Sequence, residues 1–373
     1  MRPAVWAWRA RRPERGYEAM ALLLEHADLT GEIRAAALGN LSWFAPNLAE
    51  LFSSVSFAAL VKPPGVRGSW FNPSIATSPD GGTLISVRSA NYEIGHEGRY
   101  TIDDPDRIVR SQCYIAELNT DLKLEDVRMV REVPGTTTFP FPVRGYEDLR
   151  LFYVDDELFA TATVRDRNAG GICHVALLRL DPSGQVKQEH VLEGLSPGRY
   201  EKNWTVLDSK TRLGQQARDR GTIAMVYTWD PLVIIEVDPD SGTVTTVVAG
   251  VATGLGLSAR GGSGGVAVAD GVLSIIHEQA MLGNGALRYL HRFVFLDERT
   301  LRVTASKRFC LLERSVEFAA GLVARDQDIW ITFGTNDACS WLAKLSRREI
   351  LQSLGIEGKV SVSPTPRSAD DHP

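Results

Sequence analysis

Gly145-Tyr-Glu-Asp-Leu-Arg-Leu-Phe-Tyr-Val-Asp-Asp-Glu-Leu-Phe-Ala-Thr-Ala-Thr163 is the stretch on which the fold turns. A polar cluster opens it, an apolar run follows, Asp155-Asp156 marks a turn, and a second apolar run returns. Short runs of aromatic, aliphatic and β-branched residues hinged on an Asp pair predict a β-hairpin. The same order recurs along the chain. Phe71-Asn-Pro-Ser-Ile75 opens a unit that turns at Asp80-Gly-Gly and runs through Leu84–Arg88 to Tyr114–Leu118. Glu201-Lys-Asn-Trp204 opens another, passing Ile223–Trp229 to Val233–Asp238. Arg260-Gly-Gly-Ser-Gly-Gly265 opens a fourth, which turns at Asp270-Gly271 and runs through Val272–Glu278 to Tyr289–Asp297. Val316-Glu-Phe-Ala-Ala-Gly321 opens a fifth, with a turn at Asp326-Gln-Asp328 and strands at Ile329–Asp337 and Trp341–Leu345. Five similar units at roughly fifty-residue spacing predict an all-β, five-bladed β-propeller. A two-sheet sandwich is the competing arrangement, but it calls for no fivefold opening.

The chain before Trp70 has a different texture. Tyr17–Ala27 and Thr30–Leu41 carry strong helix formers with apolar residues at helical spacing, Thr30 stands where an N-cap belongs, and Pro46 ends the pattern. This predicts a short helical hairpin, organised as a helical N-terminal extension over 1–60, the propeller over 61–360 and a disordered, Pro- and Asp-containing tail over 361–373. A formal net charge of −5 gives no basic excess for nucleic acid or an anionic membrane. The four cysteines are scattered without a C-x-x-C pair, which excludes the usual zinc and redox motifs and predicts buried thiols in a reducing compartment. Arginines interrupt Met1–Arg12 before any apolar core of a signal peptide forms, and no apolar run reaches membrane-spanning length. The expectation is a cytoplasmic protein without a metal or cofactor; the oligomeric state is not encoded in any motif.

In a propeller the innermost strands surround the axis, so residues placed alike in successive blades meet in space. The openings contribute Asn72, Glu147, Asp148, Arg150, Lys202, Asn203, Arg260 and Glu317, with Trp204 beside them. The ends of the next strands contribute Arg88, Asp230, His277, Glu278, Asn336 and Asp337, with Tyr92 just beyond Arg88. Carboxylates, amides and flat aromatic rings suit a polyhydroxylated substrate, and carboxylates are the acid and base of glycoside chemistry. Lys202, Arg260 and His277 are three cationic candidates for an anion beside the sugar. Each residue also has a structural reading. Arg88 and Arg150 could pair with Glu147 or Asp148 and only brace the axis, while the Asp residues of the hairpin turns are ordinary turn chemistry. Arg260-Gly-Gly-Ser-Gly-Gly265 leads into a strand and lacks the lysine of a phosphate loop, and no serine nucleophile elbow or H-E-x-x-H motif is present.

Phe71-Asn-Pro-Ser, Gly145-Tyr-Glu-Asp-Leu-Arg, Lys202-Asn-Trp, Ile275-Ile-His and Phe333-Gly-Thr-Asn-Asp together resemble glycoside hydrolase family 130. The resemblance spans Trp70 to about Leu345 and omits the helical N-terminus. That family comprises β-mannoside phosphorylases and hydrolases and is akin to a group of β-mannosyltransferases. It implies an inverting enzyme in which Asp148 is the general acid, protonating the glycosidic oxygen directly or through a sugar hydroxyl. Asn72, Arg88 and Asp337 would bind the sugar, with Tyr92, Arg150, Asn203, Trp204 and Glu317 around it. Lys202 and His277 match phosphate-holding positions, and Arg260 is a substitute for a further arginine. The chain departs from the pattern at Leu149, where proline is usual, at Asn203, where aspartate is usual, and at Gly262-Ser-Gly264. The expected activity is glycosyl transfer with a phosphate-bearing partner, either phosphate or a sugar nucleotide. The alternatives are a hydrolase with Glu147, Glu278 or Glu317 activating water, a non-catalytic sugar-binding propeller, and a protein scaffold.

Overall fold

A computed structural model describes residues 13–25, 31–95, 100–196, 198–256 and 258–356. The readings made for Met1–Arg12, Thr30 and the 361–373 tail lie outside the described residues. Five sheets, each built on four sequential positions from axis to rim, form the predicted propeller. Blade 1 contains Phe71–Thr77, Thr83–Ala90, Val109–Leu118 and Leu124–Met129, from the axis outward. Blade 2 contains Glu147–Val154, Glu157–Val164, His174–Leu180 and Val186–Val191. Blade 3 contains Thr205–Val206, Ile223–Trp229, Leu232–Val237 and Val244–Val251. In blade 4 the innermost strand is split into Arg260–Gly261 and Val266–Val268, followed by Gly271–Met281, Leu287–Asp297 and Val303–Ala305.

Blade 5 closes the ring. Its inner strands are Glu317–Arg325, Asp328–Thr335 and Cys339–Ser346, but its outermost strand is Ser56–Ala59 from the N-terminal side, paired antiparallel with Cys339–Ser346 in the register Ser56↔Lys344 to Ala59↔Trp341. Pairing the two ends of the ring in one sheet means that opening it must break a ladder as well as a packing face.

Each sheet buries both faces against its neighbours, which is why Thr83–Ala90 is buried at every position. The core is accordingly divided among the five blade interfaces. Ile115, Leu149 and Leu178 pack between blades 1 and 2; Phe159, Trp204 and Met225 between 2 and 3; Val226, Ile276 and Val294 between 3 and 4. Phe293, Phe333 and Ile331 fill the interface of blades 4 and 5, and Ile85, Trp330 and Leu342 that of blades 5 and 1. The expected hairpin turns are present, with Asp155 and Asp326 at φ of 52° and 53°, a conformation Asp tolerates better than most residues. Cys113, Cys173 and Cys310 are buried as expected, whereas Cys339 is exposed because it starts a strand at the end of a turn.

Helices α1 (Pro13–Leu24) and α2 (Gly31–Leu41) lie against blade 4. Tyr17, Met20, Leu38 and Leu41 pack on Ala280, Leu290 and Cys310. Gly39 permits this approach, since a Cβ there would stand 2.4 Å from the Met281 carbonyl oxygen. The Tyr17 hydroxyl accepts the Arg308 N–H at 2.7 Å, and Arg308 pairs with the buried Glu278. No helix among the described residues is long and apolar enough to cross a membrane.

Candidate functional site

A cavity of about 1770 Å3 opens at the end of the axis where the innermost strands begin. The local device that builds its floor repeats in three blades. Asn72, Asp148 and Asn203 occupy equivalent positions and all have left-handed backbone, with φ of 50°, 53° and 63°. In blade 1 Phe71 pairs with Arg88 and Ser74 with Ser86, so two residues oppose one; in blade 2 Glu147 pairs with Thr163 and Arg150 with Thr161, with the same count. Such a bulge bends the strand and re-aims the side chain at its first position. Asn and Asp bear this conformation at lower cost than other non-glycine residues. The fold therefore presents an amide, a carboxylic acid and a second amide at the axis from successive blades. Gly334 of blade 5 leaves room for Asn72, because a Cβ there would lie 2.3 Å from Asn72 Oδ1.

Asp148 Oδ1 accepts Asn72 Nδ2–H at 2.9 Å and Arg88 Nη1–H at 3.2 Å. Burial works to raise its pKa, but Arg88, Asn72, Lys202 and Arg150 outweigh it and hold the carboxyl below its ordinary value, so Asp148 is ionised at neutral pH. Asn72 spends its N–H on Asp148, and its Oδ1 is buried without a partner, an acceptor awaiting a donor. Arg88 is the hub. Besides Asp148 it reaches Glu147 at 3.6 Å and Ser111 Oγ at 3.0 Å, and its guanidinium lies 5.1 Å from the Phe71 ring centroid. Burial opposes its charge, yet Tyr92, Asp148, Glu147 and Asp337 keep its pKa well above the usual guanidinium value. On the other side Tyr92 donates its hydroxyl to Asp337 Oδ2 at 2.8 Å. Burial raises the Asp337 pKa, aided by the charges of Asp148 and Glu147, against the pull of Arg88 and Tyr92. The two aspartates are thus pushed in opposite directions, the arrangement that separates proton-holding from ionised carboxyls.

Glu147 is held by three cations: Arg165 at 3.1 Å and Arg88 and Lys202 each at 3.6 Å. Lys202 also lines the cavity, as do Asn203, Arg260 and His277. Arg260 is exposed, and no carboxylate among the described residues lies within ion-pair distance of it. His277 departs from expectation. It pairs in register with Arg260, but its ring is buried between Tyr289, stacked at 5.1 Å, and the edge of Phe318 at 5.2 Å. Burial, reinforced by His291, Arg260 and Arg150, drives its pKa well below the usual imidazole value. The imidazole is neutral, with a buried, unpartnered Nδ1, so it offers a hydrogen bond and no charge.

Of the sixteen residues singled out in sequence, twelve line this cavity: Asn72, Arg88, Tyr92, Glu147, Asp148, Lys202, Asn203, Asp230, Arg260, His277, Asn336 and Asp337. Four are placed elsewhere. Arg150 lies beneath the floor, donating to Asn203 Oδ1 at 2.7 Å and to the Trp204 carbonyl at 3.4 Å, so it braces the left-handed residue that opens blade 3. Trp204 follows the left-handed Asn203 and points into the core of blades 2 and 3, where its Nε1–H meets Glu201 at 3.1 Å. Glu317 is fully buried and accepts the backbone N–H groups of Leu311, Leu312 and Glu313 at 2.6, 2.9 and 2.7 Å. It organises the loop entering blade 5 rather than the cavity. Glu278 is likewise committed, to Arg308 and to Ser258 Oγ.

Sequence reasoning missed Arg165, Arg199 and Trp43, which line the cavity too. Arg165 follows Val164 at the end of the second strand of blade 2, two residues past Thr163, which pairs with Glu147 as Arg88 pairs with Phe71, so the rule of equivalent places does not single it out. Among the described residues no group of three His, Cys, Asp or Glu side chains is arranged to hold a metal ion.

No protein-family model and no curated protein sequence matches the chain. Solved structures do share its fold. A β-1,2-mannobiose phosphorylase from Listeria innocua, in complex with β-1,2-mannobiose, is 16% identical over 80% of this chain and 96% of that one, with a TM-score of 0.53. A structure from work on the glycoside hydrolase family 130 mannoside phosphorylases, a family containing hydrolases that target β-1,2 mannosidic linkages in Candida mannan, is 13% identical over 82% and 93%, with a TM-score of 0.56. A glycosyl hydrolase from Bacteroides ovatus is 14% identical over 75% and 85%, with a TM-score of 0.52. At these identities the likeness is one of fold.

Proposed function

We propose that this protein is an inverting glycosyl-transferring enzyme acting on β-mannosides or related β-glycosides, with a phosphate-bearing donor or acceptor. The observation that carries the reading is Asp148: a carboxylate on a left-handed bulge at the cavity floor, clamped by Asn72 and Arg88, with Lys202 and Arg260 on the same cavity. Clamping fixes the oxygen that must exchange a proton with a sugar oxygen. In the synthetic direction the Asp148 carboxylate takes the proton of an acceptor hydroxyl. That oxygen forms its bond to the anomeric carbon as the bond to the phosphate oxygen breaks on the opposite face. Run backwards, phosphate attacks the anomeric carbon, the glycosidic bond breaks, and protonated Asp148 gives its proton to the departing oxygen. An ionised Asp148 is ready for the first direction. Arg260 and Lys202 stabilise the phosphate in either, while neutral His277 supplies a hydrogen bond.

The fold neighbours support the substrate class, since one is a β-1,2-mannobiose phosphorylase. Plain hydrolysis is disfavoured by the state of its three candidate bases. Glu147 is neutralised by three cations, and Glu278 and Glu317 are bonded away from the cavity. The test is incubation of the purified protein with β-mannosides and β-glucosides in phosphate, in phosphate-free buffer, and with sugar nucleotides, with products identified by mass. A sugar phosphate formed only with phosphate, or a glycoside formed only with a sugar-phosphate donor, supports transfer. Free sugar released at the same rate without phosphate defeats it.

A further inference from the structure

One wall of the cavity rises well above the Asp148 floor. The two central strands of blade 4, Gly271–Met281 and Leu287–Asp297, have 11 residues each, whereas the second strands of the other blades have 7 or 8. Three extra residues add roughly 10 Å of strand. The excess lies at the cavity end, because His277 is already on the cavity and the strand continues past it to a tip at Leu282–Leu287. The tip is tightly bonded, with Leu282 N–H to the Ala286 carbonyl and Gly285 N–H to the Leu282 carbonyl, both at 2.9 Å. The α1–α2 hairpin buttresses it from outside through Leu38, Leu41 and the Gly39 contact.

The turn that ends α2 places Trp43 on the same wall. Its neighbours anchor it: Ser42 and Ala45 are fully buried, and the Ser42 carbonyl accepts Arg288 Nη1–H at 3.5 Å. The Arg288 guanidinium lies 3.9 Å from the indole centroid, yet 54% of Trp43 remains exposed. A large aromatic ring held in a fixed place and left open to a cavity is the usual form of a ligand platform, with an apolar face and polar groups at its rim. Here the rim groups are Arg288, Arg314 and Asn284. The cavity volume, about 1770 Å3, also exceeds the ~300–1,000 Å3 of ordinary small-molecule sites.

We propose that Trp43, Arg288 and the blade 4 tip form a saccharide subsite remote from Asp148, which takes a further pyranose unit of an oligosaccharide acceptor or leaving group. The C–H face of the ring lies on the indole, and its hydroxyls bond to the guanidinium and amide groups. The helical hairpin is then part of substrate recognition, since it both carries Trp43 and supports the opposite side of the wall. This inference rests on the glycan reading of the Asp148 site.

The test measures binding of β-linked manno- and gluco-oligosaccharides, from disaccharide to pentasaccharide, to the full-length protein by calorimetry. In the wild type, affinity is expected to rise with chain length by on the order of tenfold, the worth of one well-packed aromatic contact. Trp43→Ala should abolish that increment and leave disaccharide affinity unchanged, while Trp43→Phe retains part of it; an unchanged thermal melting profile certifies the fold of each variant. The same increment in Trp43→Ala, or no increment in the wild type, overturns the subsite while the Asp148 reading stands. If no saccharide of either series binds the wild type, the glycan reading falls, and the subsite with it.

Discussion

Replacing Arg88 by Met removes the cation around which the site is organised while keeping a long side chain to fill its space. Arg88 is buried between Glu147 and Asp148, at 3.6 and 3.2 Å, in a region that also holds Asp337. Removing one partner of a buried charge cluster leaves the others uncompensated, a loss of about 3–5 kcal/mol. The pH dependence gives this prediction its edge. In the wild type, Asp148 has a folded-state pKa below its unfolded value, so its contribution is present above that unfolded value and is lost only as pH falls through the folded one. In Arg88→Met, burial is opposed by fewer charges and the folded pKa of Asp148 rises above the unfolded one. The folded variant then binds a proton that the unfolded chain does not, and its stability declines as pH rises through the raised pKa. Urea unfolding of both proteins at about pH 5 and about pH 8 reads the effect directly, with a stability difference that is larger at the higher pH. Equal differences at the two pH values, or a variant as stable as the wild type, would refute the view of Arg88 as the electrostatic keystone.

Two further outcomes follow from residues whose placement departs from their sequence position. Glu317→Gln keeps the size of the side chain but replaces one of the two accepting oxygens with an N–H2 that opposes a backbone donor, and should cost about 1–3 kcal/mol for the bond it orphans, seen as a lower unfolding midpoint. A Gln variant as stable as the wild type would mean that the carboxylate does not organise the blade 5 entry loop. Sulfate, whose charge is constant across the neutral range, should gain no affinity as pH falls through the ordinary imidazole range, because burial holds the His277 pKa well below that range. Arg260→Ala should weaken that binding at every pH, whereas an affinity that climbs as pH drops through the ordinary imidazole range would restore His277 as a cation.

The blade openings were legible in the sequence because each has to start a strand at the axis. Asn72, Asp148 and Asn203 recur at one position of that pattern, and their type is what a left-handed bulge requires. What the pattern could not show is how the bulge reverses the alternation of side chains beyond it. Trp204 stands one residue past Asn203 and enters the core, and Arg150 stands two past Asp148 and goes beneath the floor. Glu317 holds an opening position, but no residue at the start of Glu317–Arg325 has a positive φ, and its carboxylate turns instead to backbone donors. The charge of His277 was misjudged for a related reason. Its position on the strand was clear, whereas its enclosure by Tyr289 and Phe318 arises from residues on two other strands. Trp43 had no periodic cue at all, because the helical hairpin that carries it belongs to no blade.

The measurement that bears most directly on the account is phosphate-dependent turnover by Asp148→Asn beside the wild type, on whichever β-glycoside the wild type converts. Asn tolerates the left-handed backbone at this position, and its carbonyl oxygen can still accept from Asn72 and Arg88, so the geometry survives and only proton exchange is lost. The account predicts a fall in kcat of about 10²–10⁴-fold, the usual worth of a positioned acid or base, with substrate affinity nearly unchanged. Turnover within a few-fold of the wild type would place the proton transfer on another residue and contradict the central claim.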